Sequence, residues 1–235
     1  MLKHFLMALF IVLAGHGSLA QYEGDDVYDP FADYSEFEEN SQEEADINFF
    51  RNGRFFNVAL LFGGRMFTGG MTDFIDAGPT PGIALTYFFN LRLALNFTYS
   101  FSQHVIRSPA GVSPTVEGNI SFTTLAFDLK YYFNTNNVTR GLADLNPYII
   151  GGFSQNGRTL SLVDQTAVGK DDGAGLDIGA GIEIPVARNE MFIGAQFVYT
   201  FVNYSTENRP FPEGSNTFLD GDLMQLYMIF GFNFL

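Results

Sequence analysis

The sequence predicts an all-β fold, an eight-stranded antiparallel transmembrane up-and-down β-barrel with an acidic N-terminal extension. Apolar side chains recur at every second residue in eight separate stretches. The connections between those stretches alternate in length. The apolar parity is rich in Phe and Tyr, whereas the opposite parity is mostly small or polar. Composition points the same way, with 16% of the 235 residues charged and 16% aromatic, 27 of them Phe. Soluble domains carry roughly a quarter charged residues, so the composition raises the question of which solvent the surface of this chain faces.

The first element, residues 1–20, reads as a secretory signal peptide. Lys3 and His4 give a basic start, Phe5 to Ala14 an apolar core, and Ser18-Leu19-Ala20 a small-x-small end. That core is shorter than the roughly 17–25 residues of a membrane-spanning helix. Residues 21–50 form an acidic arm, with eleven Asp and Glu between Glu23 and Asp46 and no Lys or Arg. A block of like charge repels itself and stays solvated. Tyr22, Tyr28, Phe31, Tyr34 and Phe37 are spaced through it. The arm therefore has two readings: a solvated spacer, or a docking strip whose aromatics anchor a partner.

Residues 51–235 are the predicted barrel. The clearest strand is Leu91 to Phe101, where Leu91, Leu93, Leu95, Phe97, Tyr99 and Phe101 share one parity and Arg92, Ala94, Asn96, Thr98 and Ser100 the other. A helix of period 3.6 cannot segregate residues this way. Similar alternation covers 54–67, 81–89, 119–133, 176–184, 191–203 and 224–234, and more weakly 147–156, led by Tyr148 and Ile150. Leu61, Phe88 and Ile229 stand on the wrong parity. Long Gly-, Pro-, Asn- and Asp-rich links are expected at 67–80, 105–118, 157–175 and 204–220, all at one end of the molecule.

An eight-stranded barrel of this pattern has two sealed forms, a soluble lipocalin-like one with the apolar face inward and a membrane one with it outward. An interior of this size holds one packed core, too narrow for so many Phe and Tyr but matched to Gly, Ala, Ser and Thr. Runs of ten or more residues fit the roughly 9–11 that cross a bilayer when tilted. Phe97, Tyr99, Phe101, Phe127, Leu129, Phe197, Phe230 and Phe232 are accordingly expected to face lipid.

On the strength of its signal peptide, its eight strands, the Tyr87-Phe88-Phe89-Asn90 turn, the Asn146-Pro147-Tyr148 strand entry, the Gly179-Ala180-Gly181 strand and its aromatic last strand, the chain resembles small Gram-negative outer-membrane barrels of the OmpA/OmpX type, and more loosely the OmpW type. The resemblance covers about residues 54–235. It implies an outer-membrane location with lipid and lipopolysaccharide around the barrel, insertion by the outer-membrane machinery, a periplasmic arm and extracellular long loops. In that family the last residue is usually aromatic, and here Phe234 is followed by Leu235.

Arg65, Arg92, Asp128, Lys130, Asp177 and Glu183 fall on the inward parity and are expected to form a paired charge network filling the lumen, because unpaired burial costs several kcal/mol. His104 shares a face with Ser102, which raises a hydrolase reading. No G-x-S-x-G elbow accompanies them, so a rim histidine is the preferred account. Asp171-Asp172 with Asp164, and Asp220 with Asp222, read as loop-solubilising rather than cation-binding residues. Gly63-Gly64 and Gly151-Gly152 read as close-approach positions. With no Cys, thiolate chemistry and thiolate metal sites drop out, and no cofactor is expected. The net charge of −14, without a basic patch, disfavours nucleic acid. The expected function is a non-enzymatic structural or interaction barrel with an envelope-complex partner. The alternative is a narrow channel or transporter for small or hydrophobic solutes.

Overall fold

The computed structural model describes residues 55–107, 117–133, 145–162, 168–186, 190–206 and 218–234. The signal segment, the acidic arm and Asp164 lie outside the described residues. The strands β1 (Phe56–Phe67), β2 (Gly78–Phe88), β3 (Leu93–Arg107), β4 (Glu117–Tyr132), β5 (Pro147–Leu162), β6 (Val168–Val186), β7 (Met191–Tyr204) and β8 (Leu223–Phe234) pair with their sequence neighbours, and β8 closes onto β1. Every pairing is antiparallel. Closure leaves no unpaired edge, which a strand in lipid could not tolerate. A single helical turn, α1 (Met71–Phe74), lies between β1 and β2.

The registers fix the barrel's dimensions. Tracing paired residues from Asn57 through Thr86, Asn96, Asp128, Gly152, Asp177, Thr200 and Leu223 leads back to β1 at Phe67, a stagger of ten residues (67 less 57). With a rise of about 3.3 Å and a strand spacing of about 4.8 Å, the strands tilt by about 40° around a backbone radius of about 8 Å. On β8 the outward residues Met224, Leu226, Met228, Phe230, Phe232 and Phe234 climb ten positions. At that tilt they cover about 25 Å, the height of a lipid-facing band.

Parity assigns the two faces. Phe127 is 54% exposed on the outside while Arg65 is fully buried within. Leu61, Phe88 and Ile229, which broke the sequence alternation, are interior residues packed into two small apolar clusters. Tyr148 and Ile150 correct the reading of the fifth strand: both are buried inside, and Ile149 and Phe153 face out.

The link lengths also depart from expectation. β5 runs to Leu162 and β6 starts at Val168, so a link of five residues replaces the long loop expected at 157–175, and it is shorter than the turn-end link after β4. Arg158 and Asp171 stand opposite each other in that added ladder and form an ion pair, which supports strand where the composition suggested loop. β3 to β6 thus project past the lipid band, with Gln103, Asn119, Gln155, Ser161 and Lys170 on their outer face.

Candidate functional site: the barrel interior

At the turn end, Lys130 Nζ lies 3.2 Å from Glu183 Oε1, and Tyr132 OH donates to the same oxygen at 3.0 Å. The Lys130 ammonium also stands 4.7 Å from the Tyr148 ring centroid, a cation–π geometry. Tyr148 OH donates to Gln196 Oε1. Parity forces these groups inward, and each finds its partner two strands away around the wall, β4 with β6 and β5 with β7.

The middle tier is polar and small. Arg65 donates to Ser102 Oγ at 2.9 Å, Ser100 Oγ at 3.2 Å and Thr124 Oγ1 at 2.9 Å. Thr124 in turn donates to Asn156 Oδ1, and Asn156 Nδ2 to Ser154 Oγ, which donates to Asp177 Oδ1. Thr86 donates to Asn96, and Asn96 to Thr98. One buried guanidinium, surrounded by hydroxyls from β3 and β4, thus ties β1 across the barrel to both.

The loop end is closed by apolar packing. Phe67, Met71, Ile75, Ile106, Ile120, Phe122, Leu160, Val202, Tyr204, Leu219 and Leu223 form one buried cluster. Met71 comes from α1 and Leu219 from the segment before β8, so two connections fold inward to cap the mouth. Met71 N–H donates to Asp220 C=O, and Thr68 and Asp222 exchange two hydrogen bonds, which join those connections. Gly69 and Gly221 have φ of 61° and 142° at this crossing, backbone that only glycine adopts without strain. Arg158 lies under the cap, its guanidinium 3.9 Å from the Tyr204 ring centroid, donating to Leu219 C=O, Asp171 and Thr206.

Of the sequence-expected lumen residues, Arg65, Asp128, Lys130, Asp177 and Glu183 are all buried inside. The structure joins Lys130 to Glu183 and places Arg65 among hydroxyls rather than carboxylates. Arg92 is a correction. It is half-buried in the turn ahead of β3, where its N–H meets Asn90 Oδ1 and its C=O accepts from Tyr132 N–H. The alternating run begins at Leu91, but the Asn90 side chain holds residues 90–93 in a turn, so the ladder starts only at Leu93.

Arg158 and Asp171 are interior partners that the sequence reading had assigned to a loop. The alternation of Ser154, Asn156 and Arg158 was the available signal. Tyr99, Phe101, Phe127, Leu129, Phe197, Phe230 and Phe232 are exposed on the outer face, and Phe97 is half-covered by its edge-on contact with Phe127.

Ser102 and His104 both point inward without meeting. Ser102 Oγ accepts from Arg65, while His104 Nδ1 lies 2.9 Å from the Asp76 carbonyl and its Nε2 has no hydrogen-bond partner. The imidazole sits edge-on to Phe67 and Phe122, so it is buried beneath the cap rather than standing at the rim. Nothing in this arrangement activates the hydroxyl. Asp222 accepts from Tyr199 OH and the Val202 N–H, a bracing role rather than a ligating one. Among the described residues no cluster of three or more His, Asp or Glu is arranged to hold a metal.

A family model described as "Outer membrane protein beta-barrel domain" matches residues 35–234. No curated protein matches the chain. Among solved structures, Neisserial surface protein A aligns with a TM-score of 0.51 at 14% identity, covering 76% of this chain and 97% of that one. The N-terminal β-barrel domain of Pseudomonas aeruginosa OprF aligns at 0.41 and 18% identity, covering 76% and 97%. The attachment invasion locus protein Ail of Yersinia pestis aligns at 0.43 and 14% identity, covering 76% and 96%.

Proposed function

Since the chain belongs to the outer membrane protein β-barrel domain family, and so lies in the outer membrane of a Gram-negative bacterium, we propose that it is a non-enzymatic structural or interaction barrel rather than a conduit. The observation that supports this reading most is the filled interior. Polar side chains occupy the middle, the buried Lys130–Glu183 pair stands at the turn end, and an apolar cap covers the loop end. A passage for ions needs continuous water-lined space, and an eight-stranded barrel has room for little beyond side chains.

The surfaces left for recognition are the loop-end connections and the polar outer face of β3–β6. In this reading they project from the cell, where lipopolysaccharide surrounds them, and the outer-membrane insertion machinery places the barrel. The arm at residues 21–50 lies on the periplasmic side and serves an envelope partner, with Tyr22, Tyr28, Phe31, Tyr34 and Phe37 as anchors and the acids as its rim.

The test is single-channel recording of the purified full chain in planar bilayers. Absence of resolved conductance steps is expected. Steady ion-conducting events would favour the narrow-channel alternative instead.

A further inference from the structure

The buried charges of the lumen do not balance among the described residues. Among the described residues, the buried cations are Arg65, Lys130 and Arg158, and the buried carboxylates are Asp128, Asp171, Asp177 and Glu183. Lys130 is taken by Glu183 and Arg158 by Asp171. Arg65 directs hydrogen bonds to three hydroxyls. One negative charge is left over, and it falls on Asp128 and Asp177.

These two share a neighbourhood. Both pair in the ladder with Gly152, Asp128 from β4 and Asp177 from β6, and both point inward. Their relative exposures are 3% and 1%. Asp128 Oδ1 and Asp177 Oδ2 have no hydrogen-bond partner, although Ser154 donates to the other Asp177 oxygen. Gly152 matters here, because a Cβ at that position would run into Asp128 Oδ1. The missing side chain lets the Asp128 carboxylate lie directly over Gly152, where the Phe127 carbonyl and the Asp128 backbone also pack closely. Two mutually repelling carboxylates, each with an unsatisfied oxygen, are costly inside a protein unless a proton or a cation neutralises one of them.

We propose that the lumen holds one small monovalent metal cation between Asp128 and Asp177. Hard oxygen donors suit an alkali ion, and a single positive charge brings the seven buried groups to neutrality. Asp128 Oδ1 and Asp177 Oδ2 are the anionic ligands, and the nearby hydroxyl and amide oxygens of the middle tier complete the shell with water. Such an ion acts as an internal staple joining β4 to β6 across β5.

The test uses the full chain folded in detergent, unfolded by urea at fixed pH and ionic strength in sodium, potassium or choline chloride. The unfolding midpoint is expected to be higher in one of the alkali salts than in choline, and Asp128→Asn and Asp177→Asn are each expected to abolish that difference. Crystals soaked in thallium(I) should show an anomalous peak between the two aspartates. Equal midpoints in all three salts, with no thallium peak, would overturn the proposal. Should either variant fail to fold, the parent's salt series and thallium peak still decide it.

Discussion

Arg65 shows how much a single interior residue can organise. Its side chain runs from β1 to hydroxyls on β3 and β4, so three strands distant in sequence are fixed by one guanidinium. Lys130 and Glu183 do the same at the turn end, linking β4 to β6. Glu183→Ala strands a buried ammonium and is expected to destabilise the barrel by about 3–5 kcal/mol. The paired replacement Lys130→Met with Glu183→Leu should recover most of that loss, since a matched apolar pair often replaces a buried ion pair at little cost. Urea unfolding of the three variants in detergent checks both statements. On the lipid side, Phe97→Arg is expected to cost about 2–4 kcal/mol in folding into vesicles, whereas Thr98→Ser, one residue away but inward, should be nearly silent. Folding of Phe97→Arg into vesicles as readily as the parent would mean that the faces are inverted.

At the scale of elements, the strands alternate apolar outward residues with an inward set that mixes small, polar and a few large side chains, and glycine appears where a neighbour must come close. The clearest instance is β8 against β7, where the Phe192 ring lies over Gly231 and a Cβ there would enter the ring. Gly231→Ala is therefore expected to lower stability by about 1–3 kcal/mol through overpacking, with Gly151→Ala, where nothing lies nearby, as the neutral comparison. The cap at the loop end is an element of another kind, built from α1 and the segment before β8. Met71→Ala removes a fully buried side chain there and should cost about 2–5 kcal/mol. Because the cap joins two connections at the loop end, its loss is expected to show as faster proteolysis of those connections, with the heat-modifiable gel migration of the folded barrel retained.

For the whole molecule, the stagger of ten residues sets the tilt, the radius and so the room inside. That room is filled in tiers, apolar above, polar in the middle and charged with aromatics below. Deleting residues 21–46 leaves the eight described strands intact in sequence. The shortened chain is expected to keep its heat-modifiable migration while losing crosslinks to an envelope partner. Unchanged crosslinks would assign the arm to the spacer role, and loss of the folded barrel would make it part of the fold.

The period-two alternation by itself determined the eight strands and, on all but the fifth, which parity meets lipid. Phe127 and Phe230 fall on the apolar parity and face out, while Thr98, Ser100 and Ser102 fall on the other and face in, beside interior aromatics such as Phe122 and Tyr148. It determined too that Arg65, Asp128, Lys130, Asp177 and Glu183 lie inside, because a side chain on a strand has only two directions to point. What parity cannot specify is who meets whom across the lumen, since that depends on the stagger, a property of eight registers taken together. Only the tertiary structure decided that Lys130 meets Glu183 and that Arg65 meets hydroxyls. The same holds for the out-of-pattern Leu61, Phe88 and Ile229, which read as noise along the strand and are interior packing around the ring. Arg92 and the 157–175 segment were misread for a local reason. A turn held by the Asn90 side chain and a strand pair held by Arg158–Asp171 both depend on partners that a scan for alternating hydrophobicity does not see.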